Sequence, residues 1–281
     1  MSFVRRSLVV LAVLSLLALP VLADHSWGNY HWARSSNPIA LQLGDNVDSR
    51  WDTFLDVAAA DWNSSSVLNV GVISGSTNTR RCSPDNGKIE VCNDRYGRNG
   101  WLGIAGIWAS GSHITRAYTK LNDTYFDTAT YNKPEWRAFV TCQEVGHDFG
   151  LDHQDENFDN PNLGSCMDYT SNPGTNQHPN SHDYAQLETM YSHADASGAS
   201  LPFDSMATSM MRPPTVGEIL AGAGQWGAPI RYDAHGRPNL FELVIGRTAN
   251  GELERVFTHV LWAPIAIEEI PEMPEERRLG N

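Results

Sequence analysis

One stretch of the 281-residue sequence carries side chains whose types and spacing could hold a metal ion and activate water. It contains Gln143, Glu144 and His147, followed by Gly150 and His153. On a helix, residues four positions apart share a face, so Gln143 and His147 can reach one ion. Glu144 lies about 100° around the helix from Gln143, where a general base can take a proton from metal-bound water. Gly150 permits a sharp turn that returns His153 as a third ligand.

The same residues, taken with Met167, resemble the metzincin clan of zinc endopeptidases, in which His-Glu-x-x-His-x-x-Gly-x-x-His is followed by a Met-turn beneath the metal. The first histidine of that motif is Gln143 here. The resemblance implies zinc ligands Gln143, His147 and His153, general base Glu144, helix-terminating turn Gly150 and Met-turn residue Met167. Tyr169 matches a position where some metzincins have a tyrosine that contacts the metal or the developing oxyanion, which implies a second catalytic residue. Gln154, the residue after the third ligand, assigns no subfamily.

The glutamine at the first ligand position has two opposite effects on zinc chemistry. Its carbonyl oxygen is a weaker zinc donor than imidazole, which lowers metal affinity. It is neutral, as histidine is, so a bound zinc keeps its charge and can acidify water toward a pKa of about 7. We therefore predict a secreted zinc-dependent endopeptidase that hydrolyses peptide bonds by a metal-activated water with Glu144 as general base. The alternative is a secreted metzincin-like pseudopeptidase that acts as a peptide- or protein-binding module.

Hydrophobic periodicity predicts the elements that must position these residues. Apolar residues alternate over 37–43 and again over 67–73, which indicates strands, whereas 51–62 has helical spacing. A second helix is predicted to begin at Pro134 and to end near Gly150, and a last helix to span 183–192. This order predicts an α+β fold with a mixed sheet. The resemblance implies that the sheet is a metzincin-like mixed twisted sheet, with an active-site helix and a C-terminal helix.

The apolar, glycine-interrupted segment from Trp101 to Trp108 is predicted to be an edge strand or a strand that another backbone approaches closely, and we take it as the edge strand. An extended peptide could pair with its backbone, which would fix the peptide's register without demanding one sequence. The predicted substrate-binding part of this strand is Gly103, Ile104, Ala105 and Gly106.

The first residues have the composition of a secretory signal peptide. Two arginines precede an apolar run over 8–19, and small residues follow it as in a cleavage site. The run is shorter than the roughly 20 residues of a spanning helix. We therefore predict a signal peptide over 1–23, secretion, and no membrane association after cleavage.

Secretion changes the interpretation of the four cysteines, because thiols pair in oxidising compartments. Three connectivities exist for four cysteines. Cys82 and Cys92 bracket a turn-rich segment, so a local pairing is the economical one, and Cys142 with Cys166 would form the other. Four free or metal-binding thiols are the alternative. A bridge between Cys142 and Cys166 would tie the active-site helix to the Met-turn.

The composition divides the chain into unequal parts. We predict a metzincin-like metallopeptidase domain over 24–195, a linker rich in Ser, Met, Pro and Gly over 196–230, and a C-terminal extension over 231–281. Within the extension, Asn250-Gly251 between two apolar runs indicates a β-hairpin, followed by an acidic tail. The sequence does not predict what the extension does.

Charge limits the partners. With 20 basic and 33 acidic side chains, the net charge is −13, which disfavours a nucleic-acid binder. We expect a monomer that acts on a protein or peptide substrate with Zn²⁺ as cofactor. A Ca²⁺ site is weakly supported: the segment from Asp155 to Asp159 begins like a calcium loop, but Asn160 stands in place of the loop glycine.

Overall fold

The computed structural model describes residues 25–195 and 226–264. Its centre is one mixed sheet of nine strands, in the order β3-β2-β4-β6-β5-β9-β8-β7, with β1 paired to β6. The strands are β1 (His31–Trp32), β2 (Ile39–Asn46), β3 (Leu68–Ser74), β4 (Ile89–Asp94), β5 (Trp101–Ser110), β6 (His113–Asn122), β7 (Ala228–Tyr232), β8 (Pro238–Arg247) and β9 (Leu253–Trp262). Pairing is parallel from β3 to β6 and antiparallel from β6 to β7.

Few helices accompany this sheet. They are α1 (Asp52–Trp62), α2 (Asp123–Phe126), α3 (Pro134–Asp148) and α4 (Ser181–Met190), with one turn of 3₁₀-helix at Pro173–Thr175. The predicted helices at 51–62 and from Pro134 are present, and α4 begins two residues before its predicted start. The molecule is therefore a mixed α+β protein with a large sheet.

The helix that carries the candidate chemistry is buried on every side. Pro134 occupies its first turn, where the absent N–H costs nothing, and every residue from Phe139 to Asp148 is buried. Apolar side chains such as Phe139 and Val145 join the main core, and α3 contacts both β5 and β6. The polar side chains of this helix are therefore held inside the protein, where each needs a partner.

The prediction that β5 is an edge strand is wrong. β9 pairs with it in antiparallel fashion along its whole length, with Gly103 opposite Leu261 and Gly106 opposite Thr258. The reason is that an unpaired edge leaves backbone N–H and C=O groups unsatisfied, and the C-terminal hairpin supplies their partners. In the described part of the chain, β3 and β7 end the strand order.

The C-terminal region joins the sheet that the rest of the chain forms. The predicted hairpin is present as β8 and β9, and Gly251 in its turn has φ +86°. The strand before it, β7, starts at Ala228, inside the segment predicted to be a linker. The predicted signal peptide over 1–23, residues 196–225 of the linker and most of the acidic tail lie outside the described residues. No helix among those that are described is long and apolar enough to cross a bilayer.

Both disulfides of the economical pairing are present, Cys82–Cys92 and Cys142–Cys166. The first lies within a smaller apolar cluster formed around Trp101 and Trp108. The second links α3 to the segment just before Met167, so the helix and the turn below the candidate site are covalently joined.

Candidate metal centre

The turn after α3 brings His147 and His153 together. Gly150 has φ +92°, and a Cβ there would lie 2.1 Å from the Tyr30 carbonyl oxygen, so only glycine fits. The chain reverses at this point, and the Nε2 atoms of His147 and His153 come to 2.9 Å from each other. The predicted turn residue therefore occupies the position that the two ligands require.

The other nitrogen of each ring defines its tautomer. His147 Nδ1 lies 2.8 Å from the Leu151 carbonyl oxygen, and His153 Nδ1 lies 2.9 Å from Glu156 Oε1. Since both partners are acceptors, each Nδ1 carries the proton and each Nε2 offers a lone pair. Burial lowers the pKa of both imidazoles, that of His153 to about 3, so neither ring supplies a second proton at neutral pH. Two facing lone pairs repel each other, and a cation between them removes the repulsion.

A third histidine, His259 on β9, completes the group. The ligand atoms of His147, His153 and His259 all lie within 4.8 Å of one another, and all three residues are buried. Neither ring nitrogen of His259 has a hydrogen-bond partner. Its ring stacks on that of His147, with centroids 3.9 Å apart and planes 3° from parallel. Because a metal lies in the plane of the imidazole that binds it, His259 must turn its ring to share an ion with His147.

The sequence interpretation missed His259. It lies far along the chain from the motif, and strand pairing between β5 and β9 places it opposite Ala105. The only local signal is a single histidine within the apolar run of β9, all of it buried from Val256 to Leu261.

Gln143, the predicted first ligand, lies one turn before His147 on the same helix and is fully buried. Its Nε2 donates to the Cys166 carbonyl oxygen at 2.8 Å. Its Oε1, the atom that a metal would bind, has no hydrogen-bond partner. The oxygen that would bind the metal therefore takes part in no hydrogen bond, and the role of Gln143 as a ligand stays a prediction.

Glu144, the predicted general base, is also fully buried, and neither of its carboxylate oxygens has a hydrogen-bond partner. Burial raises its pKa well above the ordinary value, and the nearby Asp148 carboxylate raises it further. A cation bound beside it would act in the opposite direction and favour the carboxylate.

Tyr169 and Met167 lie beneath the same site. Tyr169 is fully buried, its ring centroid is 4.3 Å from that of His153, and burial raises its pKa well above 10. Asn239 Nδ2 donates to its hydroxyl oxygen at 3.3 Å. Met167 is fully buried, and a Cβ on Gly146 would lie 2.6 Å from its sulfur, so it packs against α3 at the residue before His147.

A charged network that the sequence did not reveal supports His153. Arg231 on β7 donates to both carboxylate oxygens of Asp152, and its Nε lies 3.0 Å from Glu156 Oε1. Asp152 accepts from the His153 backbone N–H at 2.8 Å, and Glu156 accepts from its ring. Burial opposes the charge of Arg231, but the Asp152 hydrogen bonds and the charges of Asp152 and Glu156 together outweigh it and raise the arginine pKa. Strand β7 of the C-terminal region therefore helps to orient His153, a predicted ligand.

The donors of this centre fit zinc. Three imidazoles are a common zinc set, and the unpartnered acceptors around them, Gln143 Oε1 and the Glu144 carboxylate, are the groups that a bound cation or its water would satisfy. Asp152, His153 and Glu156 also approach one another, but Arg231 already forms ion pairs with both carboxylates. Of the weakly supported calcium segment, Glu156 alone belongs to a group of metal donors in the described residues, and it does so with Asp152 and His153.

Comparisons with known proteins do not assign the chain to a family. No family model matches the sequence, and no curated protein matches it. Among solved structures, that of myroilysin superimposes with a TM-score of 0.34 and 14% sequence identity, covering 60% of this chain and 98% of the other. A superposition of this extent does not establish a shared fold.

Proposed function

We propose that this protein is a zinc-dependent endopeptidase whose metal is held by His147, His153 and His259. The observation that carries the proposal is the facing pair of Nε2 atoms, 2.9 Å apart, whose rings have both committed their Nδ1 protons elsewhere. The resemblance of Glu144, His147, Gly150, His153 and Met167 to the metzincin motif supports the same chemistry.

The roles of the protein's own groups follow from their positions. Zinc, when bound, polarises the scissile carbonyl and acidifies a water molecule. Glu144 takes the proton of that water and later passes it to the leaving amine nitrogen. The Tyr169 hydroxyl accepts from Asn239, which leaves its own proton free to donate to the developing oxyanion. Arg231 keeps Glu156 and Asp152 in place, and these in turn hold His153.

We further propose that the described structure is a closed form of this enzyme. β9 uses the backbone groups of β5 that an extended peptide substrate would need, including those of Gly103 and Gly106. A catalytic zinc keeps one position open, whereas Gln143 bound together with three histidines would fill four. Peptide access therefore requires the β8–β9 hairpin to leave β5, which also withdraws His259. Of the three histidines, His259 is best suited to leave the metal, because its ring is stacked on that of His147 and its nitrogens do not point at an ion that His147 could share.

Two observations favour the second candidate, a metzincin-like pseudopeptidase that binds peptides or proteins. The hairpin closes the substrate strand along its whole length, and the first motif histidine is replaced by Gln143. A protein that has lost turnover would tolerate both features.

Zinc content and casein cleavage of the mature chain distinguish the two candidates. We expect Glu144→Ala to retain zinc and abolish cleavage, because the base is lost while the ligands remain. His259→Ala should cleave casein faster than the wild type, because it frees a metal position and loosens the hairpin. Glu135→Ala, which changes a partly exposed residue in the first turn of the same helix, is the matched control.

The same experiment can overturn the proposal. If neither the wild type nor His259→Ala cleaves casein while both bind zinc, the pseudopeptidase is the better description. If His147→Ala leaves the zinc content unchanged, the metal centre itself is wrong.

A further inference from the structure

A second group of metal-binding side chains lies away from the candidate metal centre, and the two share no residue. It forms where β1, the start of β6 and the chain after α4 meet. His31 comes from β1, His113 begins β6, and His193 and Asp195 follow α4. Segments distant in the sequence therefore place three imidazoles and one carboxylate together.

The distances among His31, His193 and Asp195 match three ligands of a tetrahedral site. Asp195 Oδ1 lies 3.3 Å from His193 Nε2 and 3.7 Å from His31 Nε2, and these two nitrogens are 3.1 Å apart. Zinc bonds of about 2.0–2.1 Å to nitrogen and oxygen place tetrahedral ligands about 3.3 Å from one another. The three measured distances fall around that value, whereas His113 contacts only the carboxylate, with its Nε2 3.0 Å from Asp195 Oδ1.

Hydrogen bonds with neighbouring backbone groups orient His31 and Asp195 so that each has a free atom that could bind an ion. His31 Nδ1 lies 2.7 Å from the Asn29 carbonyl oxygen, so its proton is on Nδ1 and its Nε2 lone pair faces His193. Asp195 Oδ2 accepts from the Arg34 backbone N–H at 2.6 Å, which leaves Oδ1 to the three histidines. The Asp195 backbone N–H also donates to the Arg34 carbonyl oxygen at 2.8 Å, so the backbone of Arg34 holds both the backbone and the carboxylate of Asp195.

An ion can reach the group from solvent. The His193 side chain is 48% exposed, whereas that of His31 is 8% exposed. Both residues line a cavity of about 420 Å³ whose other walls include Ser112 and Met190. The site is therefore accessible on one side and built into the protein on the other.

We propose that His31, His193 and Asp195 form a second site for a divalent transition metal, with zinc as the best fit. Water would complete the four positions that zinc prefers, and His113 would orient the carboxylate of Asp195 from the start of β6. Such a site would link the N-terminal strand and the start of β6 to the chain that leaves α4. Its metal would stabilise the fold without taking part in peptide hydrolysis.

The test measures zinc per chain and melting temperature in a variant without the first centre, His147→Ala combined with His153→Ala. We expect this variant to keep about one zinc ion per chain and to melt at a higher temperature when zinc is added, because an ion that binds only the folded state stabilises it. Adding His193→Asn or Asp195→Asn should remove both the ion and the stabilisation. His178→Ala is the matched control, since His178 is also a surface histidine paired to a carboxylate, Asp61.

The His193→Asn variant in the otherwise unchanged chain keeps the test independent of the first centre. His193 is half exposed, so its replacement should leave the fold intact, as far-UV circular dichroism can verify. It should lose one zinc ion and keep the zinc bound at His147 and His153. The proposal is overturned if the chain without the first centre binds no zinc and its melting temperature does not respond to zinc, which would leave the group as an ion-pair cluster.

Discussion

The backbone of Gly103 lies directly against the carboxylate of Glu144: a Cβ on Gly103 would come within 2.5 Å of Glu144 Oε1 and within 2.7 Å of its Cγ. Gly103 therefore allows the Glu144 carboxylate to lie against the backbone of β5. In this form the backbone of Gly103 is paired with β9 and cannot bind a substrate, but its contact with Glu144 keeps the candidate base in place.

This contact predicts that Gly103→Ala displaces Glu144 without removing a metal ligand. Cleavage by the open form, measured in the His259→Ala background, should fall by about 10²- to 10⁴-fold, the usual contribution of a general base. Zinc content should not change. Gly71→Ala is the control, because a Cβ on Gly71 in β3 meets no atom within 4 Å. Equal loss of activity in both variants would contradict the assigned role of Gly103.

Gln143 predicts a second measurable effect. Replacing it with histidine supplies a stronger zinc donor at the same helical position, and we expect zinc affinity to rise by about tenfold or more. Replacing it with alanine should lower the affinity. Competition with a chromogenic chelator measures both changes, and Gln177→His, on an exposed loop, serves as control. An affinity that is the same in all three variants would exclude Gln143 as a ligand.

Arg231 provides a test of the support around His153. Arg231→Gln removes the cation between Asp152 and Glu156, so their charges repel and His153 loses its defined orientation. We expect zinc affinity at this centre to fall about 10- to 100-fold, the usual effect of losing a group that orients a ligand.

Arg255→Gln is the matched control for that variant. Arg255 lies on β9, pairs with Glu242 at 2.8 Å and is exposed to a similar degree as Arg231 on β7, but in the described residues it pairs with none of the groups that hold the three histidines. If both arginine variants weakened zinc binding equally, the effect would come from strands β7 to β9 as a whole and not from the network at His153.

Local periodicity was enough to predict α1 and α3, because each buries an apolar stripe that repeats at helical spacing. It did not reveal β4, whose polar residues Glu90 and Asn93 are buried and hydrogen-bonded to side chains of the segment after β3 and of α2. His147 and His153 were predictable because one short segment contains them and the glycine turn between them. Pairing between distant strands, which no local pattern encodes, brings in His259 and Arg231.

The wrong edge-strand prediction has the same origin. The glycines of the Trp101–Trp108 segment did indicate a close approach by other groups, and the structure shows Glu144 at Gly103 and Tyr118 at Gly106. The sequence alone could not show that the free side of the strand is taken by the hairpin, since either a substrate or another part of the chain can supply those hydrogen bonds.

Lys120 on β6 predicts a pH dependence of stability that is independent of the metal centre. Its side chain is fully buried, its Nζ donates to the Arg80 carbonyl oxygen at 3.2 Å, and burial lowers its pKa to about 7. In the unfolded chain the lysine pKa is about 10.4, so between these two values the unfolded state binds more protons than the folded state. The free energy of unfolding contributed by this residue therefore rises with pH from about 7 to about 10.

Lys120→Met should remove this slope and increase the free energy of unfolding at pH 7 by on the order of a few kcal/mol, because a buried charge is replaced by an apolar side chain of similar length. Urea unfolding at pH 7 and pH 9 gives the free energy of unfolding of the variant and of the wild type. The difference between the two removes the contributions of titratable groups that both proteins contain. Lys88→Met is the control, since Lys88 is 43% exposed and paired only to an exposed aspartate, Asp85, and to Ser76. A wild type and Lys120→Met variant with the same dependence on pH would show that Lys120 stays charged in the folded protein, held by the Arg80 carbonyl and the face of the Tyr96 ring 4.9 Å away.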